Sequence, residues 1–139
     1  MYHNLTLRQK DKIAKTIYKN YRNAQLDLLF LNQHYNYYPS VDMFKIKESG
    51  IKQDQQMLNQ LEKKKRLEDY VEVIDHIHHH LSKDHLAFIE NEYLNHYDTN
   101  WWMYLYSRAT YYRLKHDALN EFIEQVLEYF NENDVQQFI

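Results

Sequence analysis

Residues 101–121 read WWMYLYSRATYYRLKHDALNE, with neither Gly nor Pro to interrupt them. Ser107 has the side chain of a helix N-cap, a short hydroxyl able to accept a first-turn amide N–H. The spacing after it predicts a helix from Arg108 to about Asn131. On that helix Tyr111, Leu114, Ala118, Phe122 and Tyr129 fall on one side, with Leu119 and Val126 beside them, and form the expected buried face. Arg113, His116 and Asn120 point the other way.

Upstream, LSKDHLAFIENEYL (Leu81–Leu94) predicts a third helix, Lys83 to about Asn95. Ser82 is its cap, Asp84 suits the positive end of the dipole, and Leu86, Ile89 and Tyr93 lie on its inner side. His96-Tyr97-Asp98 reads as a break, and Asp98 or Thr99 can cap a brief helix through Trp101, Trp102 and Leu105. Helix, break, short helix and Ser-capped basic helix is the order of a helix-turn-helix, whose second helix lies in the major groove.

The residue types suit that role. Ser107 leaves the first backbone amides of the helix free to face a phosphate, and Arg108 and Arg113 offer bidentate donors to guanine or phosphate. Thr110 and Tyr112 can reach phosphate or a thymine methyl, and Ala109 permits close approach. Lys115 and His116 complete the candidate DNA-binding set. A trihelical core with the same pattern that touches no DNA also satisfies the sequence.

Nearer the start, Ala14, Ile17, Tyr21, Ala24, Leu28, Leu31 and Tyr35 alternate at spacings of three and four. This predicts a long amphipathic helix with a coiled-coil-like seam, serving a homodimer or an intramolecular hairpin. Arg8, Lys12, Lys15, Lys19 and Arg22 share the opposite face, as a solvated surface or a phosphate-facing stripe. Residues 37–52 hold the only Pro, Pro39, and the only Gly, Gly50, and read as a linker. A second helix is expected from about Asp54 to His80, with Leu58, Leu61, Leu67, Tyr70, Ile74, Ile77 and Leu81 near one face. The fold expected is all-α: two long N-terminal helices followed by a compact helical module.

Composition agrees. At 139 residues, 44% apolar and 16% aromatic, the chain suits one core, and wholesale disorder and collagen-like sequence are excluded. A single Gly and a single Pro leave no room for phosphate-cradling Walker or Rossmann loops. With no Cys, disulfides, thiol nucleophiles and Cys-ligated zinc are impossible, and a reduced cytoplasm is the natural compartment. Residues 1–12 lack a signal-like apolar core, and the longest apolar run, Leu28–Leu31, is far too short to span a bilayer, so no membrane partner is expected.

Net charge is −3 but unevenly spread. From Arg8 to Arg22 Asp11 is the lone acid, Lys63–Arg66 form a second basic cluster, and Arg108, Arg113 and Lys115 a third. After His116 come Asp117, Glu121, Glu124, Glu128, Glu132 and Asp134 with no Lys or Arg. The chain is dipolar rather than uniformly acidic.

Asp75, His76, His78, His79, His80 and His85 invite a metal reading, since His76 with His79 or His80 has two-ligand helical spacing. No HExxH or ExxH set accompanies them, and a polar helix end is the expectation, with no metal and no cofactor. Trp101, Trp102, Tyr104 and Tyr106 could stack on single-stranded bases, but their clustering predicts core packing. The carboxylates keep no company with a nucleophile or a Gly-rich loop, so no enzyme is expected.

The stretch SRATYYRLKHDALNEF (Ser107–Phe122) resembles the recognition helix of region 4 of bacterial sigma factors: a capping hydroxyl, a basic polar stretch, then Ala118, Leu119 and Phe122 in the apolar places. More broadly, Leu81 to about Phe130 resembles the small phage regulators of late transcription in the ArpU and RinA group. The organisation expected is residues 1–80 as an N-terminal helical hairpin, whose seam serves either a dimer or the hairpin itself, 81–131 as the helix-turn-helix DNA-binding module that the resemblance implies, and 132–139 as a tail. The same resemblance implies a sequence-specific double-stranded DNA-binding transcription regulator of phage or mobile-element origin. A helical interaction module that binds RNA polymerase or another regulator without touching DNA is the other function these features fit.

Overall fold

Thr6 opens the first helix and Gln9 locks it. The Thr6 hydroxyl accepts the Gln9 amide at 3.2 Å while the Gln9 side chain accepts the Thr6 amide at 2.9 Å, a reciprocal capping box. The computed structural model describes residues 4–95, 98–131 and 134–135, and side chains among them outside 33–53. Its elements are α1, Leu7–His80; α2, Lys83–Ile89; a π-helical turn, Glu90–Leu94; and α3, Arg108–Tyr129. No strand occurs among the described residues, so the fold is all-α.

The helix of α1 runs unbroken through 37–52, where a linker was expected, although the side chains there lie outside the described residues. Between Pro39 and Gly50 the sequence carries no other breaker, and one Pro costs a helix interior about 3 kcal/mol, which packing elsewhere can offset. The two ends of α1 nevertheless meet. Tyr18 Oη lies 2.8 Å from His78 Nε2 across 60 residues of sequence, which a straight helix would stretch to roughly 90 Å. The path of α1 between these residues is therefore not straight.

By contacts the chain forms two units, Met1–Asn20 with Ile74–Ile139, and Tyr21–Val73. In the first, Ile13, Ala14, Ile17 and Tyr18 from the start of α1 are buried, as are Ile74 and Ile77 from its end. Phe88, Ile89 and Tyr93 join this core, and α3 adds Tyr111, Ala118, Leu119, Phe122, Ile123 and Val126. Tyr18 is its hub. Its ring stacks on His78 at 5.7 Å, on Tyr93 at 5.7 Å and on Phe122 at 5.3 Å, tying together both ends of α1, the π turn and α3. Each such pair contributes about 0.5–1.5 kcal/mol beyond area burial. Burial pushes the His78 imidazole below its ordinary value, against the opposing pull of Asp75 and Glu90.

In the second unit Tyr21 and Ala24 are buried, Leu28 and Leu31 half-buried, and Leu26, Leu29 and Phe30 exposed. Of the predicted seam, Ala14, Ile17, Tyr21 and Ala24 are thus buried within the chain, while the side chain of Tyr35 lies outside the described residues. Leu58 and Leu61, expected on a buried face, are exposed.

Two local expectations are also revised. The helix after Ser82 gives way at Glu90 to a π turn closed by Asn95 N–H donating to the Glu90 carbonyl at 2.7 Å, and Tyr93 is carried into the core. The brief helix expected through Trp101 and Leu105 is a succession of turns, with Met103 N–H bonding the Asn100 carbonyl and Leu105 N–H that of Trp102. Asp98 does make the contact of a cap, its carboxylate accepting the Asn100 amide at 2.8 Å, but the backbone bonds that follow close mainly three-residue turns and no regular α-helix propagates.

Candidate functional site

Ser107 caps α3 as its sequence predicts. Its Oγ accepts the Thr110 amide at 3.2 Å and donates to Thr110 Oγ1 at 2.9 Å, so the Thr110 hydroxyl is already engaged and its side chain is half-buried. Behind the cap, Tyr111 anchors the helix: Trp102 stacks on its ring at 4.4 Å and its hydroxyl donates to Glu92. Burial and that carboxylate push the Tyr111 phenol well above its ordinary value.

With Tyr111 turned inward, Arg108, Ala109, Tyr112, Arg113 and His116 are exposed. The Arg108 guanidinium lies 5.9 Å from the centre of the Tyr112 ring, a cation–π contact that orders both side chains at the surface. Lys115 is different. Four residues after Tyr111, it shares the inward side; its Nζ is 3.1 Å from Asp11 Oδ1 and 5.7 Å from the Tyr111 ring centre, with the side chain 14% exposed. The structure thus gathers five of the eight candidate residues on an open face, with Ser107 and Thr110 forming the cap and Lys115 bound inward.

Asp11 receives that lysine together with the Tyr93 hydroxyl at 2.7 Å and Lys15 at 3.1 Å. Burial alone would raise its carboxyl, but the Tyr93 hydrogen bond, Lys115 and Lys15 hold it below the ordinary carboxylate range. The lone acid in a basic run was its signal in the sequence. Lys10, one residue earlier, donates to Asn120 Oδ1 at 2.5 Å. The basic start of α1 therefore adjoins the same helix that carries Arg113 and His116.

The chain matches no protein-family model, no curated protein and no solved structure compared with it. Its site rests on its own geometry.

A cleft of about 390 Å³ opens beside the exposed face, with Asp84, His85, Trp101, Tyr106 and Arg113 in its walls. Trp101 Nε1 is buried without a hydrogen-bond partner. Across α3, Glu121 holds the start of α2. Its carboxylate accepts the Ser82 amide at 2.6 Å and the Ser82 hydroxyl at 3.2 Å, and lies 2.5 Å from His85 Nδ1. Burial raises the Glu121 carboxyl, but the Ser82 amide and His85 more than offset it. Ser82 takes the extended N-cap backbone, yet its hydroxyl serves Glu121 rather than its own helix.

The His run gathers no metal-ligating cluster of three or more among the described residues. His76 Nε2 lies 2.8 Å from Tyr129 Oη, and His80 Nδ1 lies 3.0 Å from the His76 carbonyl. The aromatic cluster divides: Trp101 and Trp102 pack on Phe88 and Tyr111, while Tyr104 is 95% exposed beside exposed Met103 and Leu105. The core packing expected of Tyr104 fails because the turns point it outward. Among the described residues no helix is long and apolar enough to cross a membrane.

Proposed function

We propose that the chain is a sequence-specific double-stranded DNA-binding transcription regulator that uses the exposed face of α3, arranged as a sigma-region-4-like helix-turn-helix. The observation that carries this reading is the Ser107-capped start of α3, where Arg108, Ala109, Tyr112, Arg113 and His116 are exposed with no acid before Asp117. Arg108 and Arg113 supply bidentate donors, and Lys10, beside Asn120, extends the basic surface for phosphate contacts. The resemblance of Leu81 to Phe130 to the ArpU and RinA group supports the same role.

The test is fluorescence anisotropy with mixed genomic duplex fragments at about 50 and 200 mM salt, where several phosphate contacts cost orders of magnitude in affinity. Arg113→Ala is expected to weaken the best fragment by about 1–3 kcal/mol. No binding to any duplex at low salt would reject the reading.

A second reading has its own observation. Met103, Tyr104 and Leu105 form an exposed apolar triplet next to α3, the kind of surface that docks on protein. It supports an interaction module that engages RNA polymerase or another regulator without contacting DNA.

A further inference from the structure

Leu58 and Leu61 are 53% and 43% exposed because they are out of phase with the rest of their helix. Leu67 and Tyr70 begin the half-buried side, and Leu58 precedes Leu67 by nine residues, about two and a half turns, which places it on the opposite side. There it joins a stripe of its own. Asp54, Leu58, Leu61 and Lys65 follow one another at four, three and four residues, and all four are exposed.

The stripe reads acid, leucine, leucine, base, and that order is self-complementary when reversed. A second copy laid antiparallel, with its two-fold axis midway between Leu58 and Leu61, sets Leu58 against the partner's Leu61. The same operation sets Asp54 against the partner's Lys65, since both lie 5.5 residues from the axis, about 8 Å along the helix. A parallel copy would instead oppose Asp54 to Asp54 and Lys65 to Lys65.

We infer that two copies of this chain associate through the Asp54–Lys65 stripe as an antiparallel, isologous pair. The leucines supply the affinity and the two charge pairs fix the direction, since exposed ion pairs add little energy but like charges face to face are rejected. Met57, 44% exposed and one residue before Leu58, widens the apolar contact. Four leucines across two copies fall well short of the roughly 800 Å² per partner of a standard interface, so the association is weak and depends on concentration. It uses no residue of α3, and its failure leaves the DNA reading untouched.

The experiment is sedimentation velocity on the full chain over a concentration series, with Asp54→Lys, Lys65→Asp and their equimolar mixture. The native chain is expected to dimerise, and each charge reversal to weaken the dimer at least about fivefold by opposing like charges. Mixing the two variants is expected to restore it, because every reversed charge then meets its opposite on the other copy. That recovery cannot come from a variant that merely misfolds. Leu58→Asp is expected to abolish the dimer while leaving the helical circular dichroism unchanged. A native chain that stays monomeric at the highest concentration, or a dimer indifferent to both reversals, would overturn the inference.

Discussion

Lys115 Nζ sits 3.1 Å from Asp11 Oδ1, so a lysine from the candidate DNA-reading helix neutralises the one acid in the basic start of α1. Arg113, two residues earlier on α3, is exposed. The two cations are therefore expected to separate experimentally. Lys115→Met leaves the Asp11 carboxylate to Tyr93 and Lys15 and is expected to cost about 1–3 kcal/mol of stability, several degrees in Tm. Arg113→Ala is expected to leave Tm within about a degree and to reduce duplex affinity. Thermal melts of both variants beside anisotropy titrations decide this, and equal Tm losses would contradict it.

Much of α3 was legible in the sequence because its signals are local. Ser107 is an N-cap wherever the chain puts it, and Tyr111, Ala118, Leu119 and Phe122 are buried because their spacing admits one inward face. The inward ion pair of Lys115 is not legible locally, because nothing near it in the sequence announces Asp11, more than a hundred residues away. Leu58 and Leu61 failed through phase, since six residues separate Leu61 from Leu67 where three or four would hold one face. At Trp101 the cap was legible and the helix was not: Asp98 accepts the Asn100 amide as a cap would, yet the segment closes mainly i→i+3 turns, which local propensity does not foretell.

Glu121 holds the Ser82 amide and hydroxyl and meets His85, and its carboxyl is held below its ordinary value. A depressed folded pKa means the stabilisation is complete above the unfolded value near 4.3 and is lost as pH falls through the lower folded one. Asp11 acts with the same sign. The native Tm is expected to fall on acidification below about pH 4.5, and Glu121→Gln to lower Tm at pH 7 while flattening that acid limb. A variant whose acid limb is as steep as the native one would exclude Glu121 from this role.

His78 is the basic counterpart. Burial holds its imidazole below the ordinary value near 6.5, so on acidification the unfolded chain takes up the proton first. Stability is then complete above about pH 6.5 and falls as pH drops from there toward the folded value. The native Tm is expected to decline as pH falls from about 6.5 to 5.5, and His78→Gln to start lower and decline less. Differential scanning fluorimetry across that range checks it, and parallel slopes for the two chains would remove His78 as the source.

Tyr18 is 1% exposed, and its ring touches three others from three different parts of the first unit. Truncating it should cost more than its own burial, because His78, Tyr93 and Phe122 lose their common surface and a ring-sized void remains. Tyr18→Ala is expected to cost about 3–5 kcal/mol, in the range of large-to-small aromatic substitutions in cores. Tyr18→Phe keeps the three stacked contacts and gives up only the hydroxyl beside His78 Nε2, so about 1 kcal/mol is expected. Urea denaturation separates the two, and hydrogen exchange supplies the local readout. In Tyr18→Ala the amides of Ile13 to Ile17 should exchange faster than those in the middle of α3. If both variants unfold at the native midpoint, the ring cluster is not what fastens the start of α1.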